Sequence, residues 1–70
     1  MSEKMLWSQD HMRSVRASKI RDFMVHESFK HDGWEVKGWY NINEHFYFGW
    51  FSTVEVAQAF LENLHKQIED

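Results

Sequence analysis

The sequence predicts an α+β fold in which a three-stranded antiparallel sheet packs against one C-terminal amphipathic helix. Two patterns lead to this fold class. Near the C-terminus apolar residues recur with a period of about 3.6, which is typical of a helix with one buried face. Upstream they alternate with polar residues, which is typical of half-buried strands. At 70 residues the chain has room for one small domain.

The helix is predicted over residues 53–68. Its apolar stripe has members at i, i+3, i+4, i+7 and i+11, namely Ala57, Phe60, Leu61, Leu64 and Ile68. Ser52 and Glu55 fit the S-x-x-E capping box, in which each side chain bonds a free backbone N–H at the helix start.

Three strands are predicted between turn signals, over residues 19–29, 34–42 and 45–51. The middle strand shows the clearest alternation, with Trp34, Val36, Tyr40 and Ile42 on one face and Glu35, Lys37, Trp39 and Asn41 on the other. Asparagines at 41 and 43 favour a turn before the third strand. His31, Asp32 and Gly33 favour a turn before the second.

Residues 1–18 are predicted as an N-terminal arm or short helix, and residues 19–70 as a single ββ-β-α domain. Met5, Leu6, Met12 and Val15 either form one face of a short helix or belong to an arm lying over the sheet. The sequence leaves both alternatives open.

Composition excludes several classes of protein. The chain has no cysteine, which excludes disulfides and cysteine-based zinc sites. Met1–Trp7 contains no long apolar run, so we expect neither a signal peptide nor a membrane span. We therefore expect a cytoplasmic location. The 5 histidines form no i, i+4 pair, and no catalytic or cofactor-binding motif occurs. We therefore expect a non-catalytic protein with no metal and no cofactor.

A short run of motifs resembles a known DNA-binding module. The chain contains W-x-V at Trp34, G-x-F-x-T at Gly49 and E-x-A at Glu55. This order, over roughly residues 23–64, resembles the Apetala-type domain of plant transcription factors and the arm-binding N-terminal domain of tyrosine recombinases. The resemblance implies a three-stranded sheet backed by one helix, with the open face of the sheet lying in the DNA major groove.

The predicted strand phases place a set of candidate contact residues on the sheet face opposite the helix: Lys37, Trp39, Asn41, His45 and Tyr47. Large rings outside a small core often mark a contact surface. The alternative is that Leu6 and Trp7 of the N-terminal segment cover these rings as part of the core. In the family that this chain resembles, the sheet face is rich in arginine. Here Glu35 would repel phosphate, which weakens the expectation of DNA binding.

Charge is unevenly divided along the chain. Residues 1–31 carry 6 Lys/Arg against 4 Asp/Glu, whereas residues 32–70 carry 2 against 7. A basic cluster without an acidic residue among its members is a candidate for contacts with phosphates or an acidic partner: Arg13, Arg16, Lys19 and Arg21. The alternative is an ordinary solvated stretch.

Two functions follow as hypotheses. The preferred one is a small regulatory protein of adaptor or inhibitor type, of the kind that phages and mobile elements encode. It would bind a protein partner through the aromatic open face. The alternative is a DNA-binding accessory domain that lays the sheet in the major groove, with the basic cluster on phosphates. A homodimer through the open sheet is a further alternative, because it would bury exposed aromatic rings.

Overall fold

The computed structural model describes residues 4–69 of the chain. A short 3-10 turn at Ala17–Lys19 separates an N-terminal pair of strands from the rest. The other elements follow in the order β1 (Met5–Trp7), β2 (Ser14–Arg16), β3 (Asp22–Glu27), β4 (Trp34–Trp39), β5 (His45–Phe51) and α1 (Val54–Glu69). The predicted α+β class, with a three-stranded antiparallel sheet and one C-terminal helix, is confirmed. The hairpin β1–β2 adds a second, two-stranded sheet.

The main sheet has the order β3-β4-β5, and its β4–β5 pairing contains a bulge. Val36 pairs with Gly49, whereas the next residue, Lys37, pairs with Tyr47. Phe48 is therefore the extra residue on β5, and the alternation of faces shifts at this point. As a result Phe46, Phe48 and Phe51 are all buried.

An aromatic cluster centred on Phe48 forms the core between the sheet and α1. The Phe48 ring lies 4.8 Å from Phe46, 6.1 Å from Phe23 and 6.2 Å from Phe60, measured between ring centroids. Phe51 also packs on Phe60, at 5.0 Å. Such pairs bury large apolar areas with few residues, which a domain of this size needs.

The helix begins one residue later than predicted and is capped differently. Thr53 Oγ1 accepts a hydrogen bond from the backbone N–H of Val56 at 3.3 Å, so Thr53 is the N-cap and the expected Ser52–Glu55 box is wrong. In the predicted stripe, Ala57 and Leu64 are buried and Phe60 and Leu61 are partly buried, but Ile68 is 37% exposed, so its place on the buried face is wrong. Within residues 4–69, no helix is long and apolar enough to cross a membrane.

The N-terminal segment contains a β-hairpin, so the prediction of a short helix there is wrong. Leu6 pairs with Val15, and both side chains are buried in the same core as the sheet and helix. Lys4 Nζ donates to the Gln67 carbonyl at 2.7 Å, which satisfies a free carbonyl at the end of α1. Residues 1–3, the start of the predicted arm, lie outside the described residues.

The loop of the hairpin covers the outer edge of β5. The backbone N–H of Gln9 donates to the Phe48 carbonyl at 2.6 Å. The Gln9 side-chain oxygen accepts from the backbone N–H of Trp50 at 3.1 Å. These bonds occupy backbone groups that an edge strand otherwise leaves unpaired.

Two predicted strands are too long. β4 ends at Trp39, because the Asn41 side-chain oxygen accepts hydrogen bonds from the N–H groups of Asn43 and Glu44 at 2.8 and 3.0 Å. This Asx turn replaces the strand, so placing Asn41 and Ile42 on alternating faces of β4 is wrong. β3 ends at Glu27, and Phe29 beyond it is exposed rather than part of the core.

We expect Leu6→Ala to destabilise the whole domain by about 2–5 kcal/mol, because Leu6 is fully buried in the shared core. Met5→Ala is the matched control, since the neighbouring side chain on the same strand is 41% exposed. Urea denaturation followed by tryptophan fluorescence measures both. Equal stability of the two variants would show that the hairpin is not part of the core.

Candidate interaction surface on the open face of the sheet

The sheet face opposite α1, hereafter the open face, is built from three cross-strand rows. In each row one residue from β3, β4 and β5 lies side by side in register. The rows are Asp22–Trp39–His45, Met24–Lys37–Tyr47 and His26–Glu35–Trp50. Trp50 belongs to this face because the bulge at Phe48 shifts the alternation beyond it.

Glu35 forms the centre of a sheltered polar group. Its side chain is only 14% exposed, and Oε1 lies 3.4 Å from His26 Nε2 and 3.8 Å from Lys37 Nζ. The Ser28 hydroxyl donates to Oε2 at 3.5 Å. A half-buried carboxylate needs such partners, because an unpaired one would pay a large desolvation penalty. The negative charge of Glu35 is therefore partly balanced by Lys37.

Tyr47 lies next to this group and is 37% exposed. Partial burial raises the pKa of the Tyr47 phenol above its ordinary value, and the negative charge of Glu35 raises it further. Both effects favour the neutral phenol. Near pH 7 the hydroxyl is thus a hydrogen-bond donor on an accessible aromatic ring.

The two tryptophans of the open face are packed onto the sheet. The Trp39 ring lies 4.9 Å from the His45 ring. Trp50 lies over Gly33, where an added Cβ would come within 2.5 Å of the indole. Both indole N–H groups are buried with no acceptor among residues 4–69. Trp39 and Trp50 are therefore half-buried, whereas Met24 and Tyr47 present more of their surface to solvent.

Two grooves lie on the open face. One, of about 420 Å³, lies between residues 29–31 and the side chains of Lys37, His45 and Tyr47. The other, of about 570 Å³, lies beside Trp39 and Met24. The first groove borders Lys37 and Tyr47 of the central row, and the second borders Met24 of the same row.

Four of the five predicted contact residues come together on this face. Lys37, Trp39, His45 and Tyr47 occupy two adjacent rows, as the strand phases predicted. Asn41 does not join them, because it lies in the turn after β4. Its side-chain nitrogen donates to Glu44 at 2.9 Å, so its polar atoms hold the turn together. The N-terminal hairpin does not place Leu6 over these rings, and Trp7 stacks on His11.

The predicted basic cluster is divided over different surfaces. The Arg13 guanidinium lies 5.0 Å from the centre of the Phe46 ring, in a cation–π contact. Arg16 and Lys19 line a separate groove between the hairpin and the β4–β5 turn. Among the four, only Arg21 lines the groove beside Trp39. The four cations therefore do not form one continuous basic patch on the open face.

The predicted contact set omitted Met24, Glu35 and Trp50. The alternation already places Glu35 on the open face, but a carboxylate was considered there only as a source of phosphate repulsion. Met24 faces Lys37 across the β3–β4 pairing, and its side chain is 43% exposed. Trp50 could not be assigned from periodicity, because the bulge reverses its face.

Known proteins give no further guide to this surface. Comparisons of the chain with protein families, curated proteins and solved structures find no significant match. Within residues 4–69, no group of three or more histidine or acidic side chains is arranged to hold a metal ion.

We expect Glu35→Gln to lower the pKa of Tyr47 towards its ordinary value without fully restoring it, because burial is the larger cause of the shift. Absorbance at 295 nm reports phenolate formation, and a Tyr40→Phe background leaves a single tyrosine to titrate. The raised pKa means that deprotonation favours the unfolded chain, so stability should fall as the pH rises above about 10. An unchanged Tyr47 titration in Glu35→Gln would contradict the coupling.

Proposed function

We propose that this chain is a small non-catalytic regulatory protein that binds a protein partner through the open face. The observation that carries the proposal is the central row, in which Met24 and Tyr47 are 43% and 37% exposed on either side of Lys37. Large apolar and aromatic side chains exposed together, with polar groups around them, are typical of protein-binding surfaces.

Charge favours a protein partner over a nucleic acid. The open face carries Asp22 and Glu35 against Lys37, so it is net negative when its histidines are counted as neutral. Lys37 is also engaged with Glu35 at 3.8 Å. Affinity for duplex DNA depends on the number of phosphates neutralised, and this face offers few cations for that purpose.

Contacts within the surface also support a binding role. Glu35 Oε1 lies 3.4 Å from His26 Nε2, and the Trp50 indole packs over Gly33, so the side chains of the face are held by one another without a partner. Binding by a surface that is already ordered loses less conformational entropy. This preorganisation suits an adaptor or inhibitor, whose activity is the binding itself.

The alternative is a DNA-binding accessory domain. Its support is the topology, since a three-stranded sheet backed by one helix is the arrangement that the resemblance to the Apetala-type and recombinase arm-binding domains implies. Arg21, beside the Trp39 groove, would be its nearest additional cation.

We expect Tyr47→Ala to weaken binding of the partner by about 2 kcal/mol or more, because an exposed aromatic ring at the centre of an interface is a typical hot spot. The partner is first captured with the wild-type chain from nuclease-treated lysate of the source organism. Its affinity is then measured by isothermal titration calorimetry. Val56→Ala is the control, since Val56 is an apolar side chain that is 51% exposed on α1, outside the open face.

Two outcomes would overturn this proposal. The first is a captured partner that binds Tyr47→Ala as tightly as the wild type. The second is the absence of capture after nuclease treatment, together with binding to random duplex DNA that falls steeply with salt. In that second case Lys37→Ala should reduce the salt slope by about one unit, which would support the DNA-binding alternative.

A further inference from the structure

The two edges of the main sheet differ in whether another segment covers them. Gln9 covers the outer edge of β5, but β3 pairs only with β4 among the strands of residues 4–69. The outer edge of β3 therefore has no strand partner over Asp22–Glu27 among residues 4–69, and such an edge is a template for another strand.

The register of the sheet identifies which backbone groups point outwards. Ser28 continues the β3–β4 register and donates to the Gly33 carbonyl at 2.9 Å. Hydrogen-bonded pairs alternate in an antiparallel sheet, so even-numbered residues of β3 bond to β4. Phe23 and Val25 consequently direct their N–H and C=O groups to the free edge, whereas the Glu27 carbonyl oxygen already lies 2.8 Å from His26 Nδ1.

We propose that two copies of this chain pair antiparallel through β3, about a two-fold axis at Met24. Met24 then faces Met24 of the second copy, and Phe23 faces Val25. Backbone direction and the sheet faces both require odd residues to meet odd residues, which this register satisfies. The product is a continuous six-stranded sheet with both α1 helices on one face.

Charge complementarity selects this register. With Met24 on the axis, Arg21, which directly precedes β3, faces Glu27, and symmetry makes this pair twice. A shift that puts Phe23 on the axis places Asp22 opposite Met24. A shift that puts Val25 on the axis places Glu27 opposite Phe23. In the two shifted registers Arg21 lies opposite Val25 or Phe29, so neither pairs it with an acidic residue.

The assembly would stop at two copies. A two-fold interface uses the same edge of both chains, so forming it consumes both free edges. The outermost strands of the six-stranded sheet are then the two β5 strands, which Gln9 covers. The interface is small, so we expect a dissociation constant in the micromolar range or weaker. This proposal does not depend on the proposed function of the open face.

A cysteine cross-link tests the axis directly, because the natural chain contains no cysteine. Residues facing each other in a non-hydrogen-bonded pair have Cα atoms about 4.5 Å apart, which is within the range for a disulfide. Under mild oxidation, Met24→Cys should form a covalent dimer at least tenfold faster than Met12→Cys, whose position is 79% exposed but lies in the hairpin loop at the opposite, β5 edge of the sheet. Equal rates for the two variants would overturn the proposal.

A charge exchange tests the register. Arg21→Glu and Glu27→Arg each place like charges opposite one another twice, and should raise the dissociation constant about tenfold by sedimentation equilibrium. The double variant restores opposite charges and should restore dimerisation. Both residues are exposed, and circular dichroism melting checks that each variant is folded. A wild-type chain that stays monomeric up to about 1 mM, or a double variant no better than the singles, would overturn the proposal.

Discussion

The burial of Phe48 is the constraint on which most of this structure depends. A regular β5 would alternate through Phe46, Phe48 and Trp50 on one face, leaving Phe51 on the other. The bulge at Phe48 instead brings Phe51 to the helix side and turns Trp50 outwards. The core thereby gains a second ring that packs on Phe60, and the open face gains an indole held over Gly33. One inserted residue thus sets the composition of both faces of the sheet.

The same bulge explains why the N-terminal hairpin is needed. A bulge leaves backbone groups of the edge strand without regular partners, and Gln9 bonds to Phe48 and Trp50 at this place. Leu6 and Val15 close the side of the core next to it, and Lys4 fixes the end of α1. The hairpin therefore completes the core and protects one edge of the sheet, which leaves β3 as the only main-sheet edge without a covering segment among residues 4–69.

Periodicity was sufficient to predict the fold where one pattern extends over many residues. The 3.6-residue stripe gave α1, and alternation gave β4 and the phases of Lys37, Trp39 and Tyr47. It could not predict β1 and β2, because three-residue strands with one buried side chain each have no measurable period. Periodicity also missed the end of β4, where the side chain of Asn41 bonds the backbone in place of strand pairing. It missed the face of Trp50 as well, because Trp50 lies beyond the bulge.

The two faces of the sheet contribute differently to stability. The helix side holds the phenylalanine cluster, whose burial supplies the apolar stabilisation that a chain of 70 residues requires. The Glu35 group on the other side adds little to the stability of the fold. A partly buried ion pair gains in Coulomb energy about what it loses in desolvation. Its contribution is positional: Glu35 contacts Lys37 and His26, and its charge adds to the rise that burial causes in the pKa of the neighbouring Tyr47 phenol. Because the core on the helix side stabilises the sheet, the residues of the open face need not be apolar. Their polar and aromatic side chains are arranged by their contacts with one another.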